Sequence, residues 1–373
     1  MTEENLFVGV ISGTSVDGLD VALLSDEPRP RILHGETIAL PPELRQSLMG
    51  LGQPGGDDLD HLGRADALLG DFIGRTILAF LDRLSISPSS IAAIGSHGQT
   101  VRHRPTATPP FTLQIGDPNR IAELTGITTI ADFRRRDVAA GGQGAPLVPP
   151  FHRALFAHDS AYHVVLNVGG IANITILGQG ADGGTRGFDT GPGNGLMDAW
   201  ALRHLATPFD MNGEWARAGT CNSALLTQCL ADPYFALPPP KSTGREYFNL
   251  PWLEACMQNT QAGHLIRPRD VQATLLALTA SSAADAIARW APEAQVVTVC
   301  GGGRLNGALM QALDQGLEAD VRTSESCGVD GDSLEAAAFA WLAARCLKRE
   351  PANEPAVTGA QGFRVLGAVH PGR

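Results

Sequence analysis

Two stretches of this chain repeat one pattern: a short apolar strand, a turn of small residues, and a second apolar strand. VGVISGTSVDGLDVALL runs from Val8 to Leu24, and HVVLNVGGIANITIL runs from His163 to Leu177. A tight turn of small residues aims several backbone N–H groups at one point, a concavity that attracts anions. Two such devices in 373 residues, a length suited to two domains, predict two facing lobes with a nucleotide's phosphates between them.

Composition narrows the class. Apolar residues make up 43% of the chain and charged ones 18%, ordinary for a globular protein with two cores. The net charge of −11 argues against non-specific nucleic-acid binding, which needs a basic surface to displace counterions. The opening MTEENLFVGV is acidic where a signal peptide would be basic, and no apolar run is read as a membrane span. The six cysteines are scattered without a Cys-x-x-Cys, so neither a disulfide framework nor a zinc site is expected. A soluble cytoplasmic enzyme, binding neither membrane nor nucleic acid, is the expectation.

Along the chain, Val8–Ile11 and Val21–Leu24 read as strands around the turn Ser12-Gly13-Thr14-Ser15, and Ile32–Leu40 as a third strand. Leu59 to Leu84 carries apolar residues at helical spacing. Ile91–Ile94 reads as a buried strand ending in the polar tip Ser96-His97-Gly98-Gln99-Thr100. In open α/β sheets ligands sit at such strand ends. The polar, Gly-rich stretch from Phe111 to Pro150 suggests an inter-lobe hinge near Ala131–Asp132, paired with the Leu334–Leu342 helix. A helix is expected from about Gly195 to Leu205, another from an Asp270 cap to Trp290, a strand at Val296–Cys300, and a helix over Ser333–Leu347 that returns to the first lobe. The stretch after Glu350 reads as loop. The expected lobes are residues 1–131 with a return of about 332–373, and 132–331.

Several clusters can carry chemistry. In Gly13-Thr14-Ser15-Val16-Asp17-Gly18, two glycines admit a close ligand, two hydroxyls can donate to phosphate, and Asp17 suits Mg²⁺, a hard cation that prefers carboxylate and water. A plain hairpin turn accounts for the motif equally well, and no Gly-Lys-Ser/Thr follows to make it a P-loop. Gly169-Gly170, with Asn167 and Asn173, gains weight only as the partner of that first turn. Gly301-Gly302-Gly303 with Asn306 follows a buried strand and would let an adenine lie on the backbone, or serve as a flexible connection. In Gly187-Phe188-Asp189-Thr190-Gly191-Pro192-Gly193-Asn194, glycines and a proline fix the backbone around one acid, and Phe188 would exclude water and lift its pKa. A rigidly held Asp189 suits a general base. Its alternative, an N-cap for the helix near Gly195, lies several residues too far upstream. Arg134-Arg135-Arg136 and Asp137 would grip an anion or form a solvated charge run. His97 and His103 are poorly spaced for a metal, and Glu335 faces either a cleft or solvent.

Taken together, these motifs resemble the anhydro-N-acetylmuramic acid kinases of bacterial cell-wall recycling. The matching stretches are SGTSVDGLD, SHGQT, QIGDPNRIAE, ADFRRRDVAAGGQGAPL, LNVGGIANIT, GFDTGPGN, PKSTGREYFN, DVQATL, GGGRLN and LEAAAFAWLA, from Ser12 to Ala343. The resemblance implies an α/β fold of two ribonuclease-H-like lobes, the actin, hexokinase and Hsp70 ATPase fold, with a cleft between them. It implies an ATP-dependent phosphotransferase that opens 1,6-anhydro-N-acetylmuramic acid with water and phosphorylates O6, giving N-acetylmuramic acid 6-phosphate and ADP. It also implies a homodimer. Carried over by residue, Ser12, Gly13, Thr14, Ser15, Asp17, Gly18 and Asp20 form the first phosphate motif, with Mg²⁺ at Asp17. Gly169 and Gly170 form the second, Gly301, Gly302, Gly303 and Asn306 lie near adenosine, and Asp189 is the base. His97, Gln99, Arg134, Arg135, Asp137 and Glu335 are candidate sugar contacts. Two rivals remain at this point: a kinase acting on a free sugar hydroxyl, and a nucleotide-gated chaperone, which would call for a peptide-binding module beyond the two lobes.

Overall fold

The computed structural model describes residues 5–13, 16, 18–52, 58–157, 161–178, 184–260 and 265–373. They fall into two units, Met1–Leu155 with Asp332–Arg373, and Phe156–Gly331.

In the first unit, β1 (Leu6–Ser12), β2 (Gly18–Ser25) and β3 (Arg31–Ala39) form an antiparallel meander. β4 (Ile91–Arg104) runs parallel to β1, β5 (Phe111–Ile115) folds back on the outer half of β4, and β6 (Thr129–Ala131) runs parallel to β4. The C-terminal strand Ala368–His370 closes the sheet on β6. Strand alternation sorts the two faces. Val8 and Val10 join Leu69, Ile73 and Ile77 of the Leu59–Arg83 helix in one core. That helix starts at Asp58, whose carboxylate accepts from the amides of Asp60 and His61. Gly9, between the two valines, faces the helix Leu334–Leu347, where any Cβ would collide with the Ala336 carbonyl oxygen.

The second unit repeats the plan. β7 (His163–Val168), β8 (Ile171–Leu177) and β9 (Thr185–Pro192) form an antiparallel meander, followed by β10 (Val296–Cys300) parallel to β7 and β11 (Asp320–Thr323) parallel to β10. The strand order is β3-β2-β1-β4-β6 in the first sheet and β9-β8-β7-β10-β11 in the second. This is one ribonuclease-H-like order used twice. The two stretches that repeat in the sequence are the opening hairpins of the two sheets.

Four expectations need correction. Residues 132–155 belong to the first unit, not the second, because Asp137 is bonded to Asn353 and Thr358 of the C-terminal segment. Ser96–Thr100 is not a tip at a strand end: β4 continues through it to Arg104, bending at Gly98, whose φ of 68° favours glycine. The residues after Glu350 include a short helix and the closing strand, not loop alone. Asp270 does not cap its helix, which runs Pro268–Trp290; its carboxylate pairs with Arg267 and accepts from the Thr220 amide. That helix is long and apolar enough to cross a membrane, and most of it is buried.

Candidate active site

In the second unit, Asp189 sits on β9, the edge strand of its sheet, opposite Asn173 of β8. Its neighbour Phe188 points to the other face and packs in the core with its ring 6.4 Å from Trp290. Phe188 therefore does not cover the carboxylate, as the sequence suggests. The free edge of β9 is gripped instead by residues 234–243. The Asp189 amide donates to the Lys241 carbonyl at 3.1 Å, the Tyr234 hydroxyl donates to the Asp189 carbonyl at 2.8 Å, and the Thr243 amide donates to Asp189 Oδ2 at 2.9 Å. Lys241 ties this strap to itself: Nζ donates to the Tyr234 and Phe235 carbonyls and stands 4.5 Å over the Tyr234 ring. Among the described residues no hydrogen bond reaches Asp189 Oδ1. The carboxyl is half-buried. Burial raises its pKa to about 6, and the Thr243 amide and Lys241 ammonium offset only part of that rise. The side chain thus combines a fixed position, an open oxygen and a proton affinity matched to neutral pH, which are the attributes of a general base.

The glycine clusters of this unit come together at one end of β7. The amides of Gly193 and Gly195 donate to the Gly170 carbonyl, and the Asn194 amide donates to that of Gly169 at 2.7 Å. Asn194 Nδ2 adds a bond to the Val168 carbonyl. A Cβ on Gly301 would strike Asn167 Oδ1, and one on Gly303 would stand 2.5 Å from Val168 Cβ, so the glycine run lies directly on the β7 end. Gly169 and Gly302 have room on their open sides, where the nearest neighbours of a Cβ would be 3.6 and 3.5 Å away. That open glycine surface fits the backbone approach a nucleotide needs. Asn306 has another task. Its Oδ1 caps the Gly307–Gly316 helix by accepting from the Ala308 and Leu309 amides.

In the first unit, the Ser12 hydroxyl donates to Gln99 Oε1 at 2.6 Å, with both side chains buried. His97 Nδ1 donates to the Gly98 carbonyl, so Nε2 is left to accept from Arg134 Nε at 2.9 Å. Burial, helped by the Arg134 charge, holds His97 well below the ordinary histidine pKa, so it stays neutral. The histidine is thus a polar contact rather than half of a metal pair with His103. Burial lowers the Arg134 pKa to about 10, against the opposing charges of Glu335 and Asp137. Arg134 Nη1 donates to the Gly144 carbonyl, and the guanidinium lies over the Phe339 ring. Glu335 opens the Leu334–Leu347 helix and is half-buried near Arg134. Ser12 with Gln99, and His97 with Arg134 and Glu335, thus form two polar groups around β4.

Other expected site residues stand elsewhere. Arg135 makes a surface ion pair with Asp132. Asp137 is fully buried and spent: Oδ2 accepts from the Gly144 amide, and Oδ1 accepts from Asn353 Nδ2 and Thr358 Oγ1. It anchors the Gly141–Gly144 loop and has no oxygen to offer a sugar. Gly18 packs against Thr37 Cγ2, and Asp20 accepts from the Thr37 hydroxyl. Gly13 accepts from the Val16 amide. Thr14, Ser15 and Asp17 lie outside the described residues. Among the described residues no three His, Cys, Asp or Glu side chains gather as a metal site. Sequence reasoning missed the roles of Tyr234, Lys241 and Thr243; the motif PKSTGREYFN covers Lys241 and Thr243 but not Tyr234.

A family model for anhydro-N-acetylmuramic acid kinase matches residues 5–372. This chain belongs to that family. Its relatives include the anhydro-N-acetylmuramic acid kinase of Xanthomonas axonopodis pv. citri, 51% identical over 98% of both chains. The anhydro-N-acetylmuramic acid kinase of Coxiella burnetii strain Dugway is 48% identical over 98% of this chain and 97% of its own. Among solved structures, component A of the Acidaminococcus fermentans (R)-2-hydroxyglutaryl-CoA dehydratase is 14% identical. It covers 91% of this chain and 99% of its own with a TM-score of 0.49, too loose a likeness to add to the strand order.

Proposed function

We propose that this chain opens 1,6-anhydro-N-acetylmuramic acid with water and phosphorylates O6 from ATP, giving N-acetylmuramic acid 6-phosphate and ADP. The observation that carries the proposal, beside family membership, is Asp189: one well-fixed acid with a raised pKa and an unspent oxygen. An inverting glycosidase needs two carboxyl groups, one to activate water and one to protonate the leaving oxygen. Here the leaving oxygen is O6 of the same sugar, and ATP supplies the phosphoryl group that caps it in place of a proton. One base is then enough. Asp189 takes a proton from water as the water attacks C1, and O6 leaves C1 to attack phosphorus in line.

Two sets of residues support the proposal, each within one unit. In the second, Gly169, Gly170 and Gly301–Gly303 offer backbone to the nucleotide. In the first, half-buried Arg134 and Glu335 would meet the sugar's polar groups, while buried His97, both ring nitrogens bonded, positions Arg134, and Gln99 is tied to Ser12. Mg²⁺ would be held by Asp17, with water, and would offset phosphate charge. ATP as a substrate implies a cytoplasmic enzyme, and the homodimer of the family resemblance belongs to the same reading, to be checked by sedimentation.

The decisive experiment runs the reaction in ¹⁸O-water. The reading requires one labelled oxygen at C1 of the phosphorylated product. A phosphorylated sugar without label would make this a kinase of a free hydroxyl, the rival with which it shares a fold.

A further inference from the structure

The segment that grips Asp189 does not end at Thr243. Two residues on, the Arg245 guanidinium lies over the Gly169–Gly170 turn. A Cβ built on Gly170 would stand 2.7 Å from both Nε and Nη2 of Arg245 and 3.1 Å from Cζ. A side chain at 170 would displace the guanidinium from that place. Arg245 is exposed, and among the described residues no hydrogen bond or ion pair engages it. Asp198, half-buried on the helix Asn194–Leu205, feels its charge without pairing with it. A guanidinium carries five N–H donors in a planar fork that matches phosphate oxygens. Here that fork is unspent and rests on the turn assigned above to phosphate.

We propose that Arg245 is a further catalytic residue, contacting the oxygens of the transferring phosphoryl group at the Gly169–Gly170 turn. The proposal rests on the kinase reading. In the step it serves, a bond forms between O6 and the γ-phosphorus while the bond from that phosphorus to the β–γ bridging oxygen breaks. ADP leaves with the electron pair, and the proton lost by the attacking water resides on Asp189. Charge moves from O6 to ADP, and a cation beside the phosphoryl oxygens lowers that barrier. One stretch, Lys241–Arg245, would then serve both halves of the reaction, steadying the base and neutralising the phosphoryl group.

The test uses Arg245→Ala and Arg245→Lys beside the wild-type protein, with ATP and the anhydro sugar. For Arg245→Ala the expected result is a fall in kcat on the order of 10²-fold, with the sugar's KM within about twofold. Free guanidinium at tens of millimolar should restore about tenfold of that loss, and Arg245→Lys should fall between the two. Packing alone would not respond to guanidinium. A kcat within about threefold of wild type, or a loss that guanidinium does not relieve, overturns the assignment. If wild type itself fails to phosphorylate the anhydro sugar, the kinase reading falls, which is a different result.

Discussion

β3 and β9 hold the same place in two sheets of one topology, and they have been put to opposite uses. Each is the third strand of a meander and lies at its sheet's edge. β3 has only exposed and half-buried residues, and its carboxylate Glu36 pairs with Arg83 at the surface. β9 is largely buried, and its carboxylate Asp189 is clasped by residues 234–243 through backbone and side chain. An edge strand leaves one row of backbone groups unpaired. In the second unit that row became the means of fixing an acid. In the first, the edge carboxylate Glu36 forms an ion pair at the surface. The duplicated framework therefore says where an acid can be held, and the segment laid against the edge decides whether it is.

The largest break in this comparison comes from Asp189→Asn. Turnover should fall on the order of 10²- to 10⁴-fold with ATP affinity little changed, as steady-state kinetics and nucleotide titration would show. Retained turnover would remove Asp189 from its role. In the wild type, kcat/KM should decline as pH falls through about 6, since the base must be ionised. The linked effect on stability has the opposite slope. The folded pKa lies above the ordinary 3.8. Ionising Asp189 therefore costs stability, with no cost below about pH 4 and the full cost above about pH 6.

Next in size is Asp137→Ala in the first unit. It strands three donors, the Gly144 amide, Asn353 Nδ2 and Thr358 Oγ1. Urea unfolding should lose about 3 kcal/mol. A loss under about 1 kcal/mol would mean that the loop has another anchor. Lys241→Met is smaller and more selective. It removes a charge that favours the Asp189 carboxylate, so the acid limb of kcat/KM should move to higher pH. Activity would drop severalfold at pH 6.5 and little at pH 8.5, on the order expected for a shift of less than about one unit. An unmoved limb would leave the strap with a purely geometric role. Smallest of all is Glu36→Gln on β3, which should leave turnover unchanged and stability within about 0.5 kcal/mol. A kinetic effect there would undo the contrast between the two edges.

Much of this arrangement can be read from the chain because it is local. Apolar strand, small turn and apolar strand announce both hairpins, and the glycines and proline around Asp189 mark a fixed backbone. What escapes such reading is held together at long range. Ser96–Thr100 looks like a polar tip, yet it continues β4 because Ser12 and Arg134 satisfy Gln99 and His97 across 87 and 37 residues of sequence. Asp137 looks like an anion grip because it follows three arginines, but its partners arrive 216 and 221 residues later. The strap over β9 contains three prolines, and nothing in its own sequence reveals the strand edge it covers.

The first unit is finished by the last residues of the chain: Asn353 and Thr358 hold Asp137, and Ala368–His370 extends the sheet beyond β6. The second unit is one continuous stretch. On the ribosome, then, the unit begun first is the one completed last. The inserted unit can assemble while its host still waits for its final strand, which makes the emergence of the tail the event that commits the host unit to its native sheet.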